Sequence, residues 1–96
     1  MNKSNTCSSA VSASIDSVKW LGLRCKLDVK TSDEVYAVLR TKPSDESSNI
    51  SAKKKIKDGK CALIVEDDEL EGSSAVLVLL DESGESLDKR AAIVGD

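Results

Sequence analysis

Acidic side chains offer the most obvious chemistry in this chain, which carries 17 Asp and Glu against 14 Lys and Arg and no His. They gather in two stretches, Glu66 to Glu71 and Asp81 to Asp88. Neighbouring acids such as Asp67 with Asp68, or Asp81 with Glu82, are the residue types that glycoside hydrolysis uses as acid and base. Calcium is a second use, because it takes oxygens from several loops converging at one end of a rigid scaffold. The loop holding Asp33 and Glu34 and the loop from Asp81 to Asp88 would meet at one pole if they join alternate strands. The opposite charge is concentrated in Lys53, Lys54, Lys55, Lys57 and Lys60, a cluster able to contact phosphate in a nucleic acid or an anionic membrane surface.

Most catalytic templates lack their parts. Without His there is no Ser-His-Asp or Cys-His pair, and neither a GxxxxGK[ST] loop nor a GxGxxG turn occurs. Trp20 and Tyr36 are the only aromatics, so neither a sugar-stacking cleft nor a base-stacking platform is in view. The reading is therefore a non-enzymatic protein without a cofactor, in which the lysines solvate a sheet edge and the acids solvate loops. Nucleic acid and membrane surfaces are unlikely partners on this reading, and a protein partner or a second copy is the expected one. Three cysteines without CxxC spacing argue against a zinc site and against a complete disulfide framework. Cys25 and Cys61 read as small buried hydrophobes rather than a disulfide. The reactivity of Cys7 is open.

These residues must be positioned by a single small domain, since 96 residues support one core. With no Phe, that core is built from Val, Leu, Ile and Ala, which favours a thin aliphatic sheet. Residues 1–14 are rich in Ser and read as a flexible tail ahead of a domain over 15–96, with no apolar segment of signal-peptide type following Lys3. A cytoplasmic location is the expectation. Charge is divided unevenly: residues 1–60 carry a balance of +5 and residues 61–96 a balance of −8. The two halves can attract each other within one fold, or the asymmetry can mark a binding surface.

Strict alternation from Leu21 to Lys30 predicts a half-exposed strand, with Leu21, Leu23, Cys25, Leu27 and Val29 inward and Arg24, Lys26, Asp28 and Lys30 outward. Trp20 falls on the outward parity, where it either covers the sheet or packs in a partly buried position. Val35 to Leu39 reads as a strand in preference to a helix, because it is rich in β-branched and aromatic residues and must stop before Pro43. Lys42 to Asn49 is a loop, and Ile50 to Lys57 a Lys-rich edge strand with Ile50, Ala52 and Ile56 inward. Asp58-Gly59 suits a type I′ turn leading into Cys61 to Val65. Ala75 to Leu80 is an unbroken apolar run, hence a strand buried on both faces and the centre of the core. A loop over Glu82 to Arg90 and a last strand over Ala91 to Val94 complete the pattern, with a helix through Leu87 to Val94 as the alternative.

Six strands with short polar connections predict an all-β fold, a small antiparallel β-sandwich of immunoglobulin-like type or an open barrel. Ser32-Asp33-Glu34-Val35-Tyr36-Ala37-Val38 resembles the start of a calcium-binding C2 strand, in which an acid precedes a Val/Tyr-rich segment. Val76-Leu77-Val78-Leu79-Leu80-Asp81-Glu82, with Asp88 and Ile93-Val94-Gly95 beyond it, is similar to that family's apolar strand, acidic loop and Ile-Gly segment. The resemblance spans residues 18–96 and implies Asp33, Asp81 and Asp88 as calcium ligands. The family's Asp-Pro is Asp33-Glu34 here, its Asp-x-Asp is Asp81-Glu82-Ser83, and Lys89 and Arg90 stand where a further acid is expected. Function is expected to be that of a binding or structural interaction module or assembly component, with calcium-dependent C2-like binding as the alternative. Lys53, Lys54, Lys55 and Lys57 are its candidate phosphate or partner contacts.

Overall fold

The computed structural model describes residues 12–31 and 34–96. Period-two hydrophobicity makes the half-exposed strands, each inward stripe becoming one face, and unbroken apolar runs make the interior ones. The described strands are β1 (Ala13–Leu21), β2 (Arg24–Thr31), β3 (Tyr36–Arg40), β4 (Lys54–Lys55), β5 (Lys60–Ile64), β6 (Ser74–Leu80) and β7 (Ser86–Ile93). Two short 3-10 turns, Glu46–Ser48 and Asp68–Leu70, interrupt the loops. The strands form two antiparallel sheets, one of three strands ordered β1-β2-β5 and one of four ordered β4-β3-β6-β7. This is the all-β sandwich that the alternation predicts. No helix of the described residues is long and apolar enough to cross a membrane.

Between the sheets lies an aliphatic core that includes Cys25, Leu27, Val29, Val35, Leu39, Leu63, Leu77 and Leu79. Strand β6 sits inside the four-stranded sheet and is buried on both faces, as its unbroken apolar run requires. Ala75, Leu77 and Leu79 enter the main core, whereas Val78 and Leu80 join Val38 in a second cluster flanked by Tyr36 and Val76.

Several boundaries differ from the sequence expectation, each for a physical reason. Regular structure begins at Ala13, inside the segment read as tail, because Ala13 to Leu21 finds a full-length partner in β2; residues 1–11, with Cys7, lie outside the described residues. The single strand expected from Leu21 is broken at Gly22, whose φ of 62° makes a tight turn between paired Leu21 and Arg24. That turn sets Trp20 opposite the buried Cys25, so Trp20 faces inward and packs half-buried against the core, and a bulge between Ile15 and Ser17 shifts the phase of the start of β1. There are thus seven described strands instead of six.

Of the expected strand over Ile50 to Lys57, only Lys54–Lys55 pairs regularly, and it does lie at a sheet edge. Ala52 is exposed, and the neighbour Ser51 is buried instead, its Oγ accepting from the Leu39 N–H at 3.0 Å. The Asp58-Gly59 turn has φ of 55° and 73°, the left-handed pair of a type I′ turn. It does not join neighbours in one sheet, however: β4 belongs to the four-stranded sheet and β5 to the three-stranded one, so the turn carries the chain across the sandwich. At the other end of the chain, the loop expected over Glu82 to Arg90 is strand from Ser86 onward, since β7 pairs with the whole length of β6 around a bulge at Leu87.

The opposite side of the sandwich is closed by side chains. The Asp88 Oδ2 accepts from the Ile15 N–H at 2.9 Å, and the Arg90 guanidinium donates to the Ile15 carbonyl at 2.9 Å. Both outward backbone groups of Ile15 are thereby satisfied by β7 although the two strands share no ladder.

Candidate functional site

The face that concentrates one kind of chemistry is the outer surface of the three-stranded sheet. In β2 the odd positions Cys25, Leu27 and Val29 are buried, which turns Arg24, Lys26, Asp28 and Lys30 outward. Register then sets the flanking residues. Lys26 stands between Lys19 and Ala62, Asp28 between Ser17 and Lys60, and Arg24 between Leu21 and Ile64. Five exposed cations, Lys19, Arg24, Lys26, Lys30 and Lys60, therefore share one face, with Asp28 inside it and Asp16 at the bulge on its margin.

Lys19 and Lys26 are direct cross-strand partners, an arrangement that costs stability in isolation because like charges face each other. Asp28 accepts from the Ser17 hydroxyl at 2.9 Å, and among the described residues no carboxylate stands in ion-pair contact with Lys19, Lys26 or Lys60. A shallow depression runs through Ser17, Lys19, Lys26, Asp28, Lys60 and Ala62. Leu21 and Ile64, 53% and 48% exposed, form an apolar margin at the Arg24 end.

The lysines singled out from sequence are all exposed, on and beside the edge strand β4. Lys55 is 2.9 Å from Glu34 Oε1, Lys53 lies over the Tyr36 ring at 5.2 Å from its centroid, and Lys54 and Lys57 are exposed. The Lys55 bond holds Glu34 below the usual carboxylate range, and Glu34 in turn raises Lys55. Glu82 is raised, chiefly by the Glu34 carboxyl with which it shares a hydrogen bond. Lys55 pairs with Glu34 beside Glu82, near the pole where β3 begins and β6 ends.

Of the acids proposed as calcium ligands, Asp33 lies outside the described residues. Asp81 Oδ1 accepts from the Ser83 N–H at 2.9 Å, the Ser83 hydroxyl at 2.6 Å and the Glu85 N–H at 2.9 Å, organising the turn between β6 and β7. Those bonds, the Ser83 hydroxyl foremost, hold its carboxyl below the usual range. Asp88 gives one oxygen to Ile15 and the other to the Lys89 N–H at 2.9 Å. Among the described residues no three acids or cysteines are grouped as a metal site would need. Asp67 accepts from the Glu69 N–H and caps the second 3-10 turn.

Cys25 and Cys61 are both free thiols in strands, the first fully buried and the second half-buried. Burial, with a smaller contribution from Cys61, pushes the Cys25 thiol up to about 12. Burial also raises Cys61. Burial thus favours the protonated thiol at both positions.

No family model, curated protein or solved structure matches this chain. The fold and its surface are thus the whole basis for a functional reading. Sequence reasoning had the outward parity of Arg24, Lys26, Asp28 and Lys30, but it could not supply Lys19 and Lys60, which join them only through pairing with β1 and β5.

Proposed function

We propose that this protein is a non-enzymatic interaction module that receives an acidic protein segment on the outer face of its three-stranded sheet. The observation that supports this reading is the placement of Lys19 directly opposite Lys26, beside Arg24, Lys30 and Lys60, in a chain whose net charge is −3. Repulsion within that face is relieved when carboxylates of a partner come between the cations, which gives orientation and a fast encounter. The scarcity of aromatics favours a protein partner over a single-stranded nucleic acid, whose bases need stacking surfaces. Leu21 and Ile64 supply apolar contact beside the charges.

A fluorescein-labelled oligoglutamate peptide tests this by anisotropy. Binding is expected at low salt, weakening as ionic strength rises and the Debye length falls towards ~10 Å. The double reversal Lys19→Glu with Lys26→Glu is expected to weaken it by about tenfold or more, while Lys53→Glu with Lys57→Glu leaves it within about twofold. Absence of binding by the wild-type protein at low salt, or equal losses from the two double variants, would overturn the assignment.

A further inference from the structure

A second surface, bordering the basic face along Lys60, Ala62 and Ile64, is the outer edge of β5. The structure handles its other three sheet edges in recognisable ways. Strand β4 is two lysines long, β7 carries Lys89 and Arg90, and β1 has its bulge together with the Asp88 and Arg90 contacts to Ile15. Such devices discourage pairing with another chain. Strand β5 has none of them from Cys61 through Val65, a run of Cys, Ala, Leu, Ile and Val. Beyond the Lys57–Lys60 bridge it ends its sheet without a further backbone partner on the outer side among the described residues.

The ladder says which groups that edge presents. The Val29 N–H donates to the Gly59 carbonyl at 2.7 Å and the Val65 N–H to the Leu23 carbonyl at 3.0 Å, so odd positions of β5 bond towards β2. Even positions point away from β2, as antiparallel geometry demands. Lys60 closes its own pair with Lys57, at 2.9 and 3.1 Å. That leaves the N–H and C=O of Ala62 and Ile64 facing out, next to an Ile64 side chain that is 48% exposed.

We infer that the protein self-associates by antiparallel pairing of this edge with the same edge of a second copy, about a two-fold axis at Leu63. In that register Ala62 of each copy faces Ile64 of the other, and four backbone hydrogen bonds form across the seam. Lys60 and Glu66 lie three residues to either side of Leu63, so each Lys60 stands opposite a Glu66 of the other copy. Shifting the axis to Ala62 sets Ala62 against itself and Ile64 against Lys60, whose backbone is already engaged by Lys57; two seam bonds remain and the charge match is lost. Of these two registers, the one about Leu63 has the fuller hydrogen bonding and the charge match, and its occupant is a second copy of this edge. An axis normal to the sheet keeps both outer faces on the same side, so the dimer presents two copies of the basic face side by side.

Sedimentation equilibrium of the full chain, from about 10 μM to about 1 mM, reads the association directly. The wild-type protein is expected to dimerise. Lys60→Glu or Glu66→Lys alone places like charges opposite each other twice per dimer and is expected to weaken association by about fivefold or more. The double exchange Lys60→Glu with Glu66→Lys is expected to restore it. Ala62→Pro removes an outward N–H that the β2 ladder does not use, and is expected to abolish the dimer while Trp20 fluorescence reports an intact fold. A monomer across the whole range overturns the inference, and so does a dimer that the single reversals do not weaken or the double exchange does not restore.

Discussion

Replacing Asp88 by Ala tests whether the side-chain closure between β1 and β7 contributes to stability. The carboxylate accepts the Ile15 N–H at 2.9 Å in a partly buried setting, so its loss leaves that donor unpaired at the sandwich edge. A hydrogen bond to a charged group contributes about 1.5–3 kcal/mol, and partial solvation trims this to about 1–2 kcal/mol here. For a domain of this length that corresponds to a fall in Tm on the order of 10 °C. Asp88→Asn keeps an amide oxygen for Ile15 but loses the charge, so about half of the effect is expected. Arg90→Ala removes the 2.9 Å donor to the Ile15 carbonyl, at an exposed position, for about 0.5–1 kcal/mol. Because both side chains act on one residue, the double variant is expected to be non-additive. Urea unfolding followed by Trp20 fluorescence measures the energies, and amide exchange at Ile15 measures the local opening. Unchanged stability within about 0.5 kcal/mol in Asp88→Ala, together with unchanged exchange at Ile15, would refute the reasoning.

Cys25 has its pKa raised to about 12, so the unfolded chain releases this proton at lower pH than the folded one. Stability should therefore fall as pH rises from about 9 towards 12, by at most about 1.4 kcal/mol per pH unit, and Cys25→Ala should remove that share of the slope in urea titrations. Gly59→Ala would set a Cβ 2.8 Å from the Val29 carbonyl oxygen at a φ of 73°, whereas Gly22→Ala at 62° meets nothing within 4 Å. Losses of about 2 kcal/mol or more and about 1 kcal/mol are expected respectively, and equal losses in thermal melts would contradict the close approach at Gly59.

Legibility from sequence followed the range of the forces involved. Ala75 to Leu80 announced a strand buried on both faces because hydrophobic burial is written residue by residue, and β6 occupies that position. The Asp58-Gly59 turn was equally local, since positive φ is a property of the two residues themselves. What that turn connects was not local: only packing decided that β4 and β5 lie in different sheets. Phase was lost at two places where one residue resets a strand, the Gly22 turn and the bulge before Ser17; parity alone set Trp20 outward, and the partly buried packing also expected for it is what the core shows. Strand β7 was shortened because Asp88, Lys89 and Arg90 look like loop, yet as an edge strand β7 solvates one face and uses two of those charges to hold β1. The basic face required three strands to be aligned, and only its central row could be seen along the chain.

The contacts from Asp88 and Arg90 to Ile15 join residues 73 and 75 positions apart. During synthesis from the N-terminus, β1 and β2 leave the ribosome as a hairpin whose outer edge has no cover until β7 follows. At about 5–20 residues per second that interval lasts roughly 4 to 15 seconds. Over this time the nascent hairpin offers an open strand to neighbouring chains, and capture there would compete with completion of the sandwich. The last strand made thus acts as the lock on the first.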